Sequence, residues 1–126
     1  GHSYDLVLIG SVEPLPIDVG QLQHRLEQDE MRFVRSALKQ VGFESIVDVC
    51  CSYAGSAADL ATWLAEAEIN RDGNLRLQYL AAMSPRGDTY RGIHAELLRH
   101  RRFSEDLFVG DEELRRELRA RLSTQR

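Results

Sequence analysis

Apolar residues recur at helical spacing in several short segments, and each segment begins at a capping residue. The first segment follows Asp18, whose side chain is a favourable N-cap. Ile17, Leu22 and Leu26 supply its apolar stripe. Because an amphipathic helix normally buries its apolar side, this pattern predicts a helix that packs on a core.

A second helix is predicted from about Asp29 to Val41, and Gly42 supplies its stop. Its polar side carries charged residues such as Arg35 and Lys39. Its other side is apolar, and we expect that side to face the core. The apolar positions are Phe33, Val34, Ala37, Leu38 and Val41.

Two shorter helices follow, each with a serine as its predicted cap. Ser45 and Asp48 have the spacing of a capping box, with Asp in place of the usual Glu. Ser56 follows Gly55 and caps a helix that is expected to run to about Ala65. The apolar residues of the two helices are Ile46, Val49, Cys50 and Tyr53 in one, and Ala57, Leu60, Trp63 and Leu64 in the other.

Two more helices are predicted in residues 84–126. Ser84 and Pro85 form a start signal for the first. Its stripe consists of Tyr90, Ile93, His94, Leu97 and Leu98. It ends in the basic run 99–102, which we expect to be a solvated helix terminus.

Asp111 caps the last helix, in which three leucines form a narrow seam. These leucines are Leu114, Leu118 and Leu122. Glu112 with Arg116, and Glu117 with Arg121, are four residues apart and predict supporting ion pairs.

Strand signals are few. The run Tyr4–Ile9 is rich in residues that favour strands and ends at a glycine, so it predicts a short edge or terminal strand. Asp72 and Gly73 predict a turn. After it, Leu75, Leu77 and Tyr79 alternate with polar residues, which predicts an extended segment. The alternative interpretation is a helix over 75–83.

The predicted fold is therefore mainly α, a small helical domain of about five to six helices with one or two short β-strands. We expect residues 1–3 to be a cloning remnant and 4–126 to form a single C-terminal accessory domain. Its parts are a strand and linker at 4–13, a helical part at 17–66, the turn and extended segment at 69–83, and a helical part at 84–126.

Composition excludes several classes of function. No apolar run approaches the roughly 18 residues of a membrane span, so we expect a soluble, cytoplasmic chain without direct membrane insertion. Residues 71–126 hold twelve arginines, but nine acids are interleaved with them. This mixture does not favour a nucleic-acid surface, and no nucleic-acid partner is predicted.

Candidate chemical groups are sparse. Cys50 and Cys51 are adjacent and lack the spacing of a metal or redox motif, which predicts two buried or half-buried thiols in a reducing compartment. His94 lies on an apolar stripe, as a hydrogen-bonded core histidine would; a small enzyme that uses His94 with Asp88 or Glu96 is a remote alternative. Asp72 and Asn74 suit a turn better than metal ligation.

Neither His24 nor His100 has a partner at ligand spacing. No Gly-rich phosphate cradle and no nucleophile elbow is present. The sequence therefore predicts no catalytic, cofactor-binding or metal-binding residues.

Two segments carry a family resemblance: "IGSVEPLPID" at 9–18 and "NRDGNLRLQYLA" at 70–81. Together with "YAGSAADLATWL" and "RRFSEDLF" they resemble the C-terminal region of bacterial spermidine-synthase-like proteins. In that family an aminopropyltransferase-type domain is often fused to a membrane-spanning part. The family pattern often has a second acid in the turn, where this chain has Gly73.

The resemblance implies that the catalytic machinery for polyamine chemistry lies in an upstream domain, and that Tyr4–Gly10 is a terminal strand of that fold or a strand left at the domain boundary. The expected function is that of a non-catalytic accessory domain without a cofactor. It would pack on or regulate the transferase domain of a longer parent protein, and in some family members that parent is tethered to the inner membrane. The alternative is an independent interaction module that forms a homodimer through Leu114, Leu118 and Leu122.

Overall fold

The computed structural model describes residues 7–68, 73 and 89–124. This part of the chain holds six α-helices and a two-stranded sheet, which confirms a small, mainly helical domain with a couple of short strands. The elements in chain order are β1 (Ile17–Asp18), α1 (Val19–Glu27), a 3-10 turn (Asp29–Met31), α2 (Arg32–Gln40), α3 (Ile46–Cys50), α4 (Ala57–Leu60), α5 (Thr89–His100), β2 (Phe108–Val109) and α6 (Glu112–Thr124).

The helix starts agree closely with the predicted caps. The Asp18 side chain accepts a hydrogen bond from the Gln21 amide at 2.9 Å, and Asp111 accepts from the amides of Glu113 and Leu114. Ser45 with Asp48 forms the predicted capping box. Ser56 forms a second one with Asp59, although the helix that it begins is regular only to Leu60.

The sheet joins two distant parts of the chain in parallel. Ile17 pairs with Phe108, and Asp18 pairs with Val109. The Ile17 amide also donates to the Leu107 carbonyl at 2.6 Å. β2 lies in a segment with no strand pattern in the sequence, so this pairing places the loop before α6 beside the start of α1.

Phe108 lies at the centre of the core and is almost completely buried. Tyr53 contacts its ring edge-on at 5.3 Å between centroids, and Phe103 stacks on it at 5.6 Å. The buried residues around this point come from three helices and the residue that follows α3: Val19, Ile46, Val47, Cys50, Cys51, Leu118 and Leu122. The core thus brings α1, α3 and α6 together.

The leucine seam of α6 belongs to this core. Leu118 and Leu122 are buried, and Leu114 packs against the same cluster. A seam that is buried inside its own domain is not available to a second copy. The feature that suggested a homodimer through these leucines is therefore used within the chain.

The predicted strand at Tyr4–Ile9 is wrong over the residues that the structure describes, because residues 7–10 have neither strand nor helix geometry. A strand needs a partner for its backbone groups, and in the described residues β2 pairs with Ile17–Asp18 instead. The extended segment predicted at 69–83 and the Ser84–Pro85 start lie outside the described residues, apart from Gly73, which lies in an exposed turn.

The ion pairs of α6 differ in part from those predicted. Arg121 contacts Glu117 at 3.4 Å, as expected. Glu112 contacts Arg115 at 2.8 Å, three residues away, and not Arg116. Arg115 faces the loop before α6, where its guanidinium also reaches Glu105 and the Phe108 carbonyl. Because Arg115 lies between three acceptors, Glu112 pairs with Arg115 and not with Arg116.

Candidate functional site

The histidines do not form a catalytic group in the described residues. His94 was predicted to lie in the core, but it is exposed, as is Glu96. Among the residues of α5 whose burial is described, Leu97 in the last turn is buried, whereas residues 92–96 are exposed. Asp88, the other proposed partner of His94, lies outside the described residues. His24 is exposed, and the half-buried His100 faces the Trp63 ring at 6.1 Å.

Both cysteines are free and buried, as predicted. Burial and the neighbouring Cys51 raise the pKa of the Cys50 thiol to about 11. Burial also raises the pKa of Cys51, although Arg121 opposes that shift. Because the thiolate is the reactive form, these pKa directions make both groups poor nucleophiles near neutral pH.

In the part of the chain that the structure describes, oxygen, nitrogen and sulfur ligands do not cluster in a way that suits a metal. Within residues 7–68, 73 and 89–124 there is no group of three or more His, Cys, Asp or Glu side chains that could hold an ion. Asp72 and Asn74, which were considered as ligands, lie outside these residues. The prediction of a turn role for them remains a prediction.

A shallow cleft of about 240 Å³ lies between the end of α2, α3 and α6. Its lining consists of Gly42, Phe43, Asp48, Cys51, Ser52 and Arg121. The two charged groups bind each other, with 2.6 Å between Arg121 Nη2 and Asp48 Oδ1. Since the cation and the carboxylate are paired and the thiol is protonated, this cleft does not present a nucleophile with a base.

The basic run at 99–102 was predicted to be a solvated helix terminus, and for Arg101 this prediction is wrong. Arg101 is only 3% exposed. It donates to the carbonyls of Cys51, Tyr53 and Leu122 at 3.2–3.4 Å. No sequence pattern signals this role, because carbonyl acceptors exist at every position and only the fold determines which are left without helical partners.

A larger departure from expectation concerns α2. The face predicted to enter the core is mostly exposed: Phe33 is 73% exposed, Val34 44% and Val41 69%. Ala37, between Phe33 and Val41 on the same side, is exposed as well. We call Phe33, Val34, Ala37 and Val41 the α2 apolar face.

The orientation of α2 has a visible cause. Arg35 donates from Nη1 to the Leu26 carbonyl at 2.7 Å, so it satisfies a carbonyl at the end of α1. Leu38 and Met31 are half-buried on the same side as Arg35. The helix is therefore held through its Arg35 and Leu38 side, and the α2 apolar face turns away from the domain.

One basic side chain lies against the α2 apolar face. The guanidinium of Arg32 lies over the Phe33 ring, 4.7 Å from its centroid. Lys39 is exposed and lies 3.8 Å from Glu44. No acidic residue occurs within α2 itself. The helix thus presents an apolar strip that the described residues leave exposed, with one cation over the Phe33 ring, as in a helix that binds in an apolar groove.

No protein-family model, no curated protein and no solved structure matches this chain. Its assignment to a family depends on the sequence resemblance alone, so the spermidine-synthase-like identity stays a prediction. In the part of the chain that the structure describes, no helix is both long and apolar enough to cross a membrane.

Proposed function

We propose that this chain is a non-catalytic helical accessory domain that packs on a larger protein, in the cytoplasm. On the basis of the sequence resemblance, the partner is an aminopropyltransferase-type domain of a longer, spermidine-synthase-like protein that includes this chain. The observation that carries the proposal is the α2 apolar face, because contiguous exposed apolar surface is characteristic of interaction sites. Two free buried thiols are in keeping with a reducing compartment.

The contribution of the α2 apolar face to the free energy of binding can be estimated. Complete burial of one large apolar side chain contributes roughly 1.5–3 kcal/mol. Phe33, Val34 and Val41 are the three large members of the face, so covering them would contribute several kcal/mol in total. That contribution offsets part of the entropic cost of association, and further contacts with the partner must supply the rest.

Calorimetric titration of the chain into a separately purified transferase-type domain tests this function. Phe33→Asp is expected to weaken binding by roughly 30-fold or more, because it places a charge where an apolar group is buried. Ala120→Asp is the matched control, since Ala120 is exposed and belongs to another helix, α6. Equal affinity of the two variants would contradict the proposed surface.

The non-catalytic part of the proposal has its own assay. The purified chain is incubated with decarboxylated S-adenosylmethionine and putrescine, and no aminopropyl transfer is expected. If spermidine formed faster than in a control reaction without protein, the non-catalytic role would be refuted.

The alternative function is a dimerisation module. The α2 apolar face gives it a surface, because Leu118 and Leu122 of α6 are buried and Leu114 packs against the same core. Size-exclusion chromatography with light scattering separates the two functions. A dimer that Phe33→Asp converts to a monomer would favour self-association, whereas a strict monomer at high concentration would exclude it.

A further inference from the structure

The two cysteines are adjacent in the chain but differ in their access to solvent. Both thiols are free, and both side chains belong to the buried core. Cys51 also lines the shallow cleft beside Arg121, and Cys50 does not. A small reagent that enters this cleft therefore meets the Cys51 thiol first.

The charges around the two thiols also favour reaction at Cys51. Burial raises the pKa of both groups, and the neighbouring Cys51 raises the pKa of Cys50 further. At Cys51 the largest charge effect is a lowering of the pKa by Arg121, ahead of the rise that Asp48 causes. Because the thiolate attacks the oxidant, Cys51 reacts first, and its slow reaction keeps the pair reduced when oxidant is scarce.

We propose that a peroxide converts Cys50 and Cys51 to a reversible disulfide, which loosens the end of α3 from the core. The Cys51 thiolate attacks one peroxide oxygen and the O–O bond breaks, which gives a sulfenic acid and a hydroxide that takes up the proton lost by the thiol. The Cys50 sulfur then attacks the Cys51 sulfur, and the hydroxyl leaves as water with the Cys50 proton. Two thiols are oxidised to one disulfide, and the peroxide is reduced to two waters.

The disulfide does not fit the folded end of the helix. Cys50 is the last residue of α3, and Cys51 has helical backbone angles as its C-cap, with φ of −66° and ψ of −16°. Successive side chains on a helix diverge by about 100°, whereas a disulfide holds its two β-carbons within about 4.5 Å of each other. Formation of the bond therefore takes these two residues out of helical geometry.

Loss of this geometry disturbs contacts with the core. The Cys51 carbonyl accepts a hydrogen bond from the buried Arg101 at 3.3 Å. Tyr53, whose ring packs on Phe108, donates its amide to the Cys50 carbonyl at 3.0 Å. Oxidation of the pair is thereby coupled to the packing around Arg101 and Phe108. Since a strained disulfide is readily reduced, the change is reversible.

Peptide mass spectrometry of the whole chain tests the disulfide, with hydrogen peroxide as the oxidant. Peroxide is removed with catalase, and the chain is then unfolded, alkylated and cleaved with trypsin. Both cysteines lie in one tryptic peptide, 40–71, which contains no methionine. We expect this peptide to carry no alkyl group and to be two hydrogen atoms lighter than the reduced form.

Other products would overturn the proposal. These are a sulfinic or sulfonic acid as the main product, a disulfide between two chains, or thiols that stay open to alkylation after a peroxide dose that fully oxidises free cysteine.

Two alanine variants test the order of attack. In Cys50→Ala, the Cys51 thiol keeps its place in the cleft and lacks a partner, so we expect a sulfenic acid that dimedone labels. In Cys51→Ala, the remaining thiol is expected to react at least about tenfold more slowly. Equal rates in the two variants would contradict attack from the cleft. Thermal unfolding of both reduced variants is the folding control.

Thermal unfolding of the oxidised chain tests the conformational effect. Its midpoint is expected to lie at least about 5 °C below that of the reduced chain, because a buried charged donor loses an acceptor. Dithiothreitol should restore the midpoint. The double variant Cys50→Ala/Cys51→Ala, treated with the same peroxide, is the matched control for methionine oxidation. An equal fall in the control, or no fall in the oxidised chain, would overturn the coupling to the core. These measurements use the chain alone and do not depend on the proposed partner.

Discussion

At the scale of single residues, the guanidinium of Arg101 joins distant parts of the chain through hydrogen bonds. It is buried and donates to the carbonyls of Cys51 and Tyr53 after α3, and to that of Leu122 near the end of α6. These carbonyls lie at or near helix ends, where backbone acceptors lack helical donors. Arg101 therefore supplies hydrogen bonds that the helices cannot supply themselves.

Removal of this side chain should be costly. Arg101→Ala leaves buried carbonyls without donors and opens a cavity, so we expect the free energy of unfolding to fall by about 2–4 kcal/mol. Arg102→Ala changes an exposed neighbour and is expected to cost less than about 0.5 kcal/mol. Urea unfolding of the two variants measures the difference, and equal midpoints would show that Arg101 is not a structural donor.

At the scale of elements, two glycines with left-handed backbone have different surroundings. Gly42 ends the α2 segment with φ of 91°, and a Cβ there would meet nothing within 4 Å. Gly110 follows β2 with φ of 92°, and a Cβ there would overlap the Asp18 carboxylate. Since Asp18 caps α1, Gly110 couples the end of the sheet to the start of a helix.

Alanine at these two positions separates backbone strain from steric overlap. Gly42→Ala should cost about 1 kcal/mol, because only the left-handed conformation is penalised. Gly110→Ala should cost at least about 2 kcal/mol, because it also displaces the α1 cap. Thermal unfolding is the measurement, with the helical circular dichroism as a check on α1. Similar losses at both sites would mean that the Asp18 cap moves without cost.

At the scale of the whole molecule, one ion pair ties α3 to α6. Asp48 Oδ1 and Arg121 Nη2 are 2.6 Å apart although the residues are 73 positions apart in the sequence. The hydrogen bond from Arg121 lowers the pKa of Asp48 from 3.8 to about 2, and the amides of Ser45 and Glu44 contribute in the same direction. The Asp48 side chain is 18% exposed, so solvent weakens the pair only in part.

This shift predicts how stability depends on pH. Because the folded-state pKa of Asp48 lies below its unfolded value, its contribution is complete above about pH 5 and is lost as pH falls toward 2. The contribution is about 1–2 kcal/mol after allowance for solvent screening. Asp48→Asn should lower the free energy of unfolding at pH 7 by about that amount. Between pH 5 and 2, the unfolding free energy of this variant should depend less on pH than that of the unmodified chain. Denaturant titrations across this range test it, and parallel profiles would contradict it.

The sequence predicts helix starts well because caps are local, whereas the end predicted at about Ala65 for the helix that Ser56 begins lies beyond its observed end at Leu60. Asp18, Ser45, Ser56 and Asp111 each bond a backbone amide within three residues, so the signal and its effect lie in the same short segment. Helical periodicity likewise predicts where α2 forms. It does not predict which side of α2 is covered, because that depends on which neighbouring helix supplies contacts.

Amino-acid order by itself therefore determined the helical class, the caps and the buried thiols, since short-range hydrogen bonds and apolar content suffice for those. Tertiary structure alone decided three features. Parallel pairing of Ile17 with Phe108 joins segments far apart in the chain, and Arg101 becomes a buried donor because distant carbonyls converge on it. The described residues leave the α2 apolar face exposed because Arg35 and Leu38, on an adjacent side of the helix, make its contacts with the domain, and no local pattern encodes that choice.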